Sequence, residues 1–440
     1  MTDIRGGTCR APGDEKLETT PLMEDVPQPR PSSQPAASTR DAWSPEARLL
    51  VWCARTTVPE SVSMRIRETA GGQINWPLVL DLAWFHGVGT LMHRTLSSVC
   101  ADLVPSLAMN ALRQRSQAEA LANRALTREL TALYDAFKEN GVPVIAFKGA
   151  TLAAVAYGNI ELRDFGDLDF IVPQRRLADA QRVLWSKGYR PQDASRETFH
   201  QSHADEPYHL FVKKNVPGYV DLQWVMAHEA FAFRLDRPDI WDRRASVSVD
   251  GKSVCSLAVE ELLIVLCVHG SKHAWERLKW VVDVAELLRA NRLDWKRVFA
   301  MATAWRCRRM VLLGLALAHR LMQVPLPSMI LNEFSADADI PELAWRMPQT
   351  LLVRQEEGIG EEAGPALYYS LKDSCWDRWR YALTLLRHDH PILRRLPDWF
   401  RSRGPLSRCA KGAVLFRASR LFGALKRTHS LFAGTKHSAC

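Results

Sequence analysis

The sequence predicts an α+β protein in which a few short strands are set among long helical segments. Two observations carry this. Between residues 142 and 173 an apolar strand, a Lys148-Gly149 turn, a short helix and a second strand follow one another, and residues 219–224 alternate apolar and polar side chains as a further strand. On both sides apolar residues recur with a helical period, as at Leu126, Leu130, Leu133 and Phe137. A chain of 440 residues with 47% apolar content can bury a sizeable core, and two or three domains are expected.

In chain order, residues 1–42 are polar and carry six prolines (Pro12, Pro21, Pro27, Pro29, Pro31, Pro35) without apolar periodicity, so a disordered segment is expected. A helical region is expected over 43–140. Ser44 is placed to cap a helix with Pro45 in its first position, residues 75–98 are helical, and the longest helix runs over 105–140 until Gly141 stops it. A core with strands is expected over 141–250. Within it, 175–187 is an amphipathic helix (Leu177, Ala180, Leu184) closed by Gly188. His200, His203 and His209 near Asp205 and Glu206 match no standard zinc spacing, so a solvated loop or hairpin is favoured.

Residues 251–330 read as a helical domain. One helix leads from Leu257 to His269-Gly270-Ser271-Lys272-His273, a second spans 275–290 and carries the charged Asp283, and residues 295–323 are apolar and helical, notably from Val311 to Met322. His269 and His273 stand at i, i+4, but no Glu follows the first as in the metalloprotease motif; phosphate contact by Lys272, or plain helix packing, is favoured over zinc. Residues 331–440 are expected to be helical and basic.

Charge and cysteine usage narrow the classes. Residues 376–440 hold fourteen Lys and Arg against three Asp, more than the whole net charge of +9. Leu415, Phe416, Arg417, Leu421, Phe422, Leu425, Lys426 and Arg427 interleave apolar and basic side chains; a solvated terminal helix is favoured, and contact with anionic lipid or nucleic acid is the other reading. Nine scattered cysteines without a C-x-x-C pair fit free thiols in a reducing cytoplasm. No secretory leader is recognised, and no apolar run approaches the ~18 residues of a membrane span.

The chemistry concentrates on the second strand. Asp167 and Asp169 are two residues apart, so both project from one face, about 7 Å apart. Like charges that close call for a cation, and oxygen ligands at this spacing suit Mg²⁺, which completes its shell with water and phosphate oxygens. Lys148 and Gly149 end an apolar strand where the backbone can approach a phosphate and a lysine can neutralise it. A metal-dependent site for a nucleoside triphosphate follows. Asp221 lies on the outward face of another strand with Gln223, either solvated or a third carboxylate for the same metals. Asp337 and Asp339 form a second D-x-D without the glycine turn or a strand, and a surface loop is expected there.

Taken together, F-K-G-A-T-L, L-R-D-F-G-D-L-D-F-I-V, V-D-L-Q-W, L-C-V-H-G-S-K-H-A-W-E-R-L-K-W-V-V-D and D-W-K-R-V from Asp294 resemble the bacterial nucleotidyltransferase family proteins, within the superfamily of DNA polymerase beta. The likeness runs over residues 46–330. It implies a small mixed sheet with flanking helices, embedded in helical N- and C-terminal regions. It further implies that Asp167, Asp169 and Asp221 bind Mg²⁺ (or Mn²⁺) and are catalytic, with Asp221 positioning or deprotonating the acceptor. Lys148, Gly149 and Arg163 would hold the triphosphate, joined by Lys272. The reaction would be in-line attack on the α-phosphorus of an NTP by an unidentified acceptor (a small molecule, a protein or an RNA end), with pyrophosphate leaving. Many active relatives have Gly-Ser at the turn; here it is Gly149-Ala150, which removes one donor worth about 1 kcal/mol. Two other classes compete: an inactive nucleotide-binding accessory protein, and a scaffold acting through its basic tail.

Overall fold

The computed structural model describes residues 43–192, 208–224, 238–337, 339–351 and 363–387. The expectations for residues 1–42, for His200, His203, Asp205 and Glu206, and for the basic stretch beyond 387 lie outside these.

The helical region opens with α1 (Pro45–Cys53), where the Ser44 side chain accepts the Ala47 N–H at 3.2 Å, and continues with α2 (Glu60–Ala70). The pattern over 75–98 divides into α3 (Trp76–Phe85) and α4 (Gly89–Val99), because Gly87 adopts φ +64° between them. Helix α5 (Ser106–Glu139) follows, and Gly141 at φ +64° ends it as expected. Then come β1 (Ile145–Phe147), α6 (Gly149–Leu152, extended by a π turn through Tyr157), β2 (Asp167–Ile171) and α7 (Leu177–Ser186). Strands β3 (Arg190–Pro191), β4 (Tyr208–Val212) and β5 (Tyr219–Gln223), helix α8 (Pro238–Asp242), and strands β6 (Ala245–Val249) and β7 (Lys252–Ser256) complete the middle of the chain. The described residues that follow form helices: α9 (Val259–Lys272), α10 (Leu278–Ala290), α11 (Trp295–Ala304), α12 (Arg308–Met322), α13 (Ser328–Ala336), α14 (Asp339–Leu351), α15 (Ala363–Ser370) and α16 (Cys375–Arg387).

Three details differ from expectation. The second helix of the 251–330 region starts at Leu278 rather than at residue 275, because Ala274 and Trp275 both take positive φ (+50° and +55°) and send the Trp275 ring into the core. Strands β6 and β7 form an antiparallel hairpin around Asp250-Gly251 (φ +50° and +76°), a two-residue turn whose Asp-Gly signature is legible in sequence. Asp337 and Asp339 are not a free surface loop: they flank the junction of α13 and α14, and both accept from Arg309 Nη2, at 3.1 and 2.9 Å.

Five of these strands form one sheet in the order β1-β2-β5-β4-β3, with β2 and β5 parallel and the other pairings antiparallel. This is the mixed sheet with flanking helices that the resemblance implied. Period-two alternation sorts the side chains onto two faces. Ala146, Leu168, Phe170, Val172, Val220, Leu222 and Trp224 join Leu126, Leu130, Phe137, Leu177 and Leu184 from α5 and α7 in one core. Ile145, Phe147 and Ile171 point the other way, into a larger core that unites α1–α4 with α9–α14. The carboxylates share the parity of this second set. The sheet is therefore a wall between two apolar bodies, with its polar residues on the side of α9 and α10.

Candidate active site

Strand pairing brings the carboxylates together. In the parallel register of β2 and β5, Asp169 lies beside Asp221 and Asp167 beside Tyr219. Asp169 is 1% exposed. Gln223, two residues beyond Asp221 on the same face, donates to Asp169 Oδ1 at 3.0 Å and to Asp221 Oδ2 at 2.5 Å. It thereby ties the two acids together. Sequence reading set Gln223 on this face but gave it no role.

The turn after β1 supplies the countercharge. Lys148 Nζ donates to Asp169 Oδ1 at 2.8 Å and lies 4.9 Å from the centre of the Phe147 ring. Its backbone adopts φ +55°, ψ −148°, a region that costs a side-chain-bearing residue roughly 1–3 kcal/mol. Gly149 follows at φ +40°, and a Cβ there would stand 3.3 Å from the carbonyl oxygen of Asp167. The positive φ and the tight approach of the K-G turn to the Asp167 backbone together favour glycine here. Ala150 is wholly buried in the core of α5 and α7.

Burial dominates the electrostatics. It raises the Asp169 carboxyl, against the lowering influence of Lys148, and raises Asp221, where the neighbouring Asp169 adds to the effect. Burial opposes the Lys148 ammonium, but attraction to Asp169, Asp167 and Asp221 outweighs it and holds its pKa above the ordinary value. The last turn of α9 adds Lys272, whose pKa is lowered by burial and by Lys148, with Asp221 and Asp169 pulling the other way. His269 and His273 sit edge-on at 4.7 Å between ring centres, and His273 tilts against Trp280 at 5.1 Å. Burial lowers both imidazoles, His273 to about 4. They are neutral at physiological pH and pack with aromatic rings.

Arg163 stands elsewhere. Its Nε donates to Asp283 Oδ1 at 2.7 Å and its Nη2 to Asp283 Oδ2 at 2.9 Å, while Tyr157 Oη donates to the same Oδ1 at 2.7 Å. Sequence reading named Asp283 only as a charge on an apolar helix; its partners come from segments 120 and 126 residues earlier in the chain.

The donor set fits a divalent cation. Asp169 Oδ2 and Asp221 Oδ1 are buried and accept no hydrogen bond among the described residues, so two carboxylate oxygens on adjacent strands lack a donor. No group of three His, Cys, Asp or Glu side chains converges on one point among the described residues. Mg²⁺ requires no such group, since it takes one or two carboxylates and fills its shell with water and phosphate. Among the described residues no helix is long and apolar enough to cross a membrane.

No curated protein matches the chain. A family profile does: that described as uncharacterised nucleotidyltransferase matches residues 72–323, which is more than half of the sequence and contains β1, β2, β5, α9, α10 and every residue of the site above. The chain belongs to this nucleotidyltransferase family.

Proposed function

We propose that this protein transfers a nucleoside monophosphate from an NTP to an acceptor hydroxyl or amine, with release of pyrophosphate. The observation that carries the reading is the pairing of Asp169 with Asp221 on neighbouring parallel strands, each keeping one buried oxygen without a donor, beside a lysine held in a strained turn. Retaining two buried acids side by side costs stability, which an inert fold would shed by mutation.

In this reading Asp169 and Asp221, with Asp167 at the strand's entrance, hold Mg²⁺ or Mn²⁺. When bound, the metal supplies electrostatic stabilisation of the attacking and departing oxygens. Lys148 would pair with a phosphate, Gly149 lets the backbone approach the same group, and Lys272 contributes a second positive charge from α9. Asp221, raised by burial and by Asp169, is placed to accept the acceptor's proton.

The test is thermal unfolding of the full chain with each of the four NTPs, with and without Mg²⁺, in wild type and Asp169→Asn. The expected result is a Mg²⁺-dependent rise of several degrees with at least one NTP, since a ligand at 100 times its Kd contributes about 2.7 kcal/mol. The rise should vanish in the variant. No shift with any NTP in a folded protein overturns the reading.

A further inference from the structure

Arg163 and Lys279 bear on how the triphosphate would be held, a question that rests on the transferase reading above. The guanidinium of Arg163 is committed. It meets Asp283 with two parallel hydrogen bonds, at 2.7 and 2.9 Å, its side chain is 8% exposed and that of Asp283 1%. A bidentate pair of this kind is a strong, directional contact, and a second anion would have to break it while leaving Asp283 buried and unpaired. Tyr157 Oη donates to the same carboxylate at 2.7 Å, so Asp283 joins the π turn after α6 to the residue that begins the approach to β2. Asn123 completes the arrangement from α5: its Nδ2 donates to the carbonyl oxygens of Ile160 and Arg163, at 2.9 and 3.0 Å. Four residues beyond Arg163 the chain reaches Asp167.

Lys279 is the opposite case. It lies four residues before Asp283, hence one turn away on the same face of α10. Its backbone N–H donates to the carbonyl oxygen of His86 at 3.1 Å, and its stem fills the space beside Gly87, where a Cβ would stand 2.7 Å from Lys279 Cδ. The residue is half-buried, yet among the described residues its ammonium makes no hydrogen bond and no ion pair. Arg163, Asp283, Asp167 and Asp164 are its charged neighbours, and burial together with Arg163 lowers its pKa. A partly desolvated ammonium without an anion at hydrogen-bonding distance, on the rim of a carboxylate site, has the properties of a phosphate contact.

We infer that Arg163 is a positioning residue, held by Asp283 and Tyr157 so that the segment entering β2 presents Asp167 and Asp169, and that Lys279 is the α10 cation that grips the phosphates of the nucleotide. The site is thereby split between a buried clamp that sets geometry and a half-buried lysine that meets substrate.

Calorimetric titration of the full chain with Mg²⁺-pyrophosphate, and with Mg²⁺ and each NTP, tests the assignment, together with turnover followed as pyrophosphate release. Lys279→Met is expected to weaken pyrophosphate and NTP binding by about tenfold or more without lowering the unfolding midpoint. The double variant Arg163→Met/Asp283→Leu removes both charges and avoids an unpaired one. It is expected to stay within about threefold of wild type in binding while turnover drops by about a hundredfold. Arg163→Lys gives an independent reading should the double variant not fold: a fall in kcat at unchanged KM for NTP supports a positioning role. A rise in KM for NTP in Arg163→Lys, or loss of pyrophosphate binding in the double variant with Lys279→Met unaffected, overturns the inference. Failure of the wild type to bind any of these probes removes the transferase reading itself.

Discussion

Gly218 leaves room for the carbonyl oxygen of Gly166: a Cβ built on Gly218 would stand 2.0 Å from it. Gly166 precedes β2 and Gly218 precedes β5, so this backbone contact closes the two parallel strands at the end where their carboxylates begin. Gly218 also takes φ +77°, which side-chain-bearing residues rarely adopt. Gly218→Ala therefore combines a backbone clash with conformational strain. The expected loss is about 3 kcal/mol, measured by urea unfolding, together with loss of Mg²⁺-dependent NTP stabilisation because Asp169 and Asp221 come out of register. A variant that unfolds at the wild-type urea concentration would mean that this contact does not hold the strands.

Removing one buried acid should reverse the usual sign of a mutation. Asp221 is buried beside Asp169, and both effects disfavour its ionised form. Asp221→Asn keeps the shape and removes the repulsion, so the metal-free protein is expected to gain about 1 kcal/mol in stability. The same change should abolish pyrophosphate release. Lower stability would place the carboxylate among structural groups instead.

The clamp at Asp283 allows a graded experiment. Tyr157→Phe deletes one of its three donors and leaves the two from Arg163, so a cost of about 1–2 kcal/mol is expected in chemical denaturation. Asp283→Ala leaves the Arg163 guanidinium buried without its partner and should cost about 3–5 kcal/mol. Equal effects of the two changes would contradict the hierarchy of contacts.

Asp164 provides a pH dependence with a defined direction. Burial pushes its carboxyl up to about 6, against the hydrogen bond it accepts from Thr90 at 2.8 Å. In the unfolded chain the same group titrates near 3.8. Between these values the folded protein retains a proton that the unfolded chain has lost, so this group's contribution to stability falls as pH rises through the window and is constant above it. Asp164→Asn removes the slope. At pH 8 the variant is expected to exceed wild type by up to about 3 kcal/mol, and at pH 4 the difference should be small; urea midpoints at the two values check it. A constant offset across pH would show that Asp164 does not titrate in this way.

Several features were legible because they depend on neighbours in the chain. Ser44 and Gly141 bound helices through local capping and backbone geometry, and the period of two placed Asp167 and Asp169 on one face of β2. The alternation of Val220, Asp221, Leu222 and Gln223 separated apolar from polar residues on β5, and the joint presence of K-G, D-L-D and V-D-L-Q-W led to the family. The Asp250-Gly251 hairpin is equally readable, from its turn residues and from the alternation of Ser246, Val247, Ser248 and Val249 before them.

By itself, then, the sequence determined the α+β class, the start of α1 and the end of α5, the common face of the two aspartates on β2 and membership of the family. Tertiary structure alone decided that β5 lies parallel to β2 with Asp221 beside Asp169, that Gln223 bridges them, and that Arg163 faces Asp283 rather than open solvent. The reason is physical. Capping and periodicity act over one or two turns of chain, whereas strand register and the partner of a buried charge are chosen by packing between segments more than fifty residues apart, where steric fit and desolvation select the arrangement.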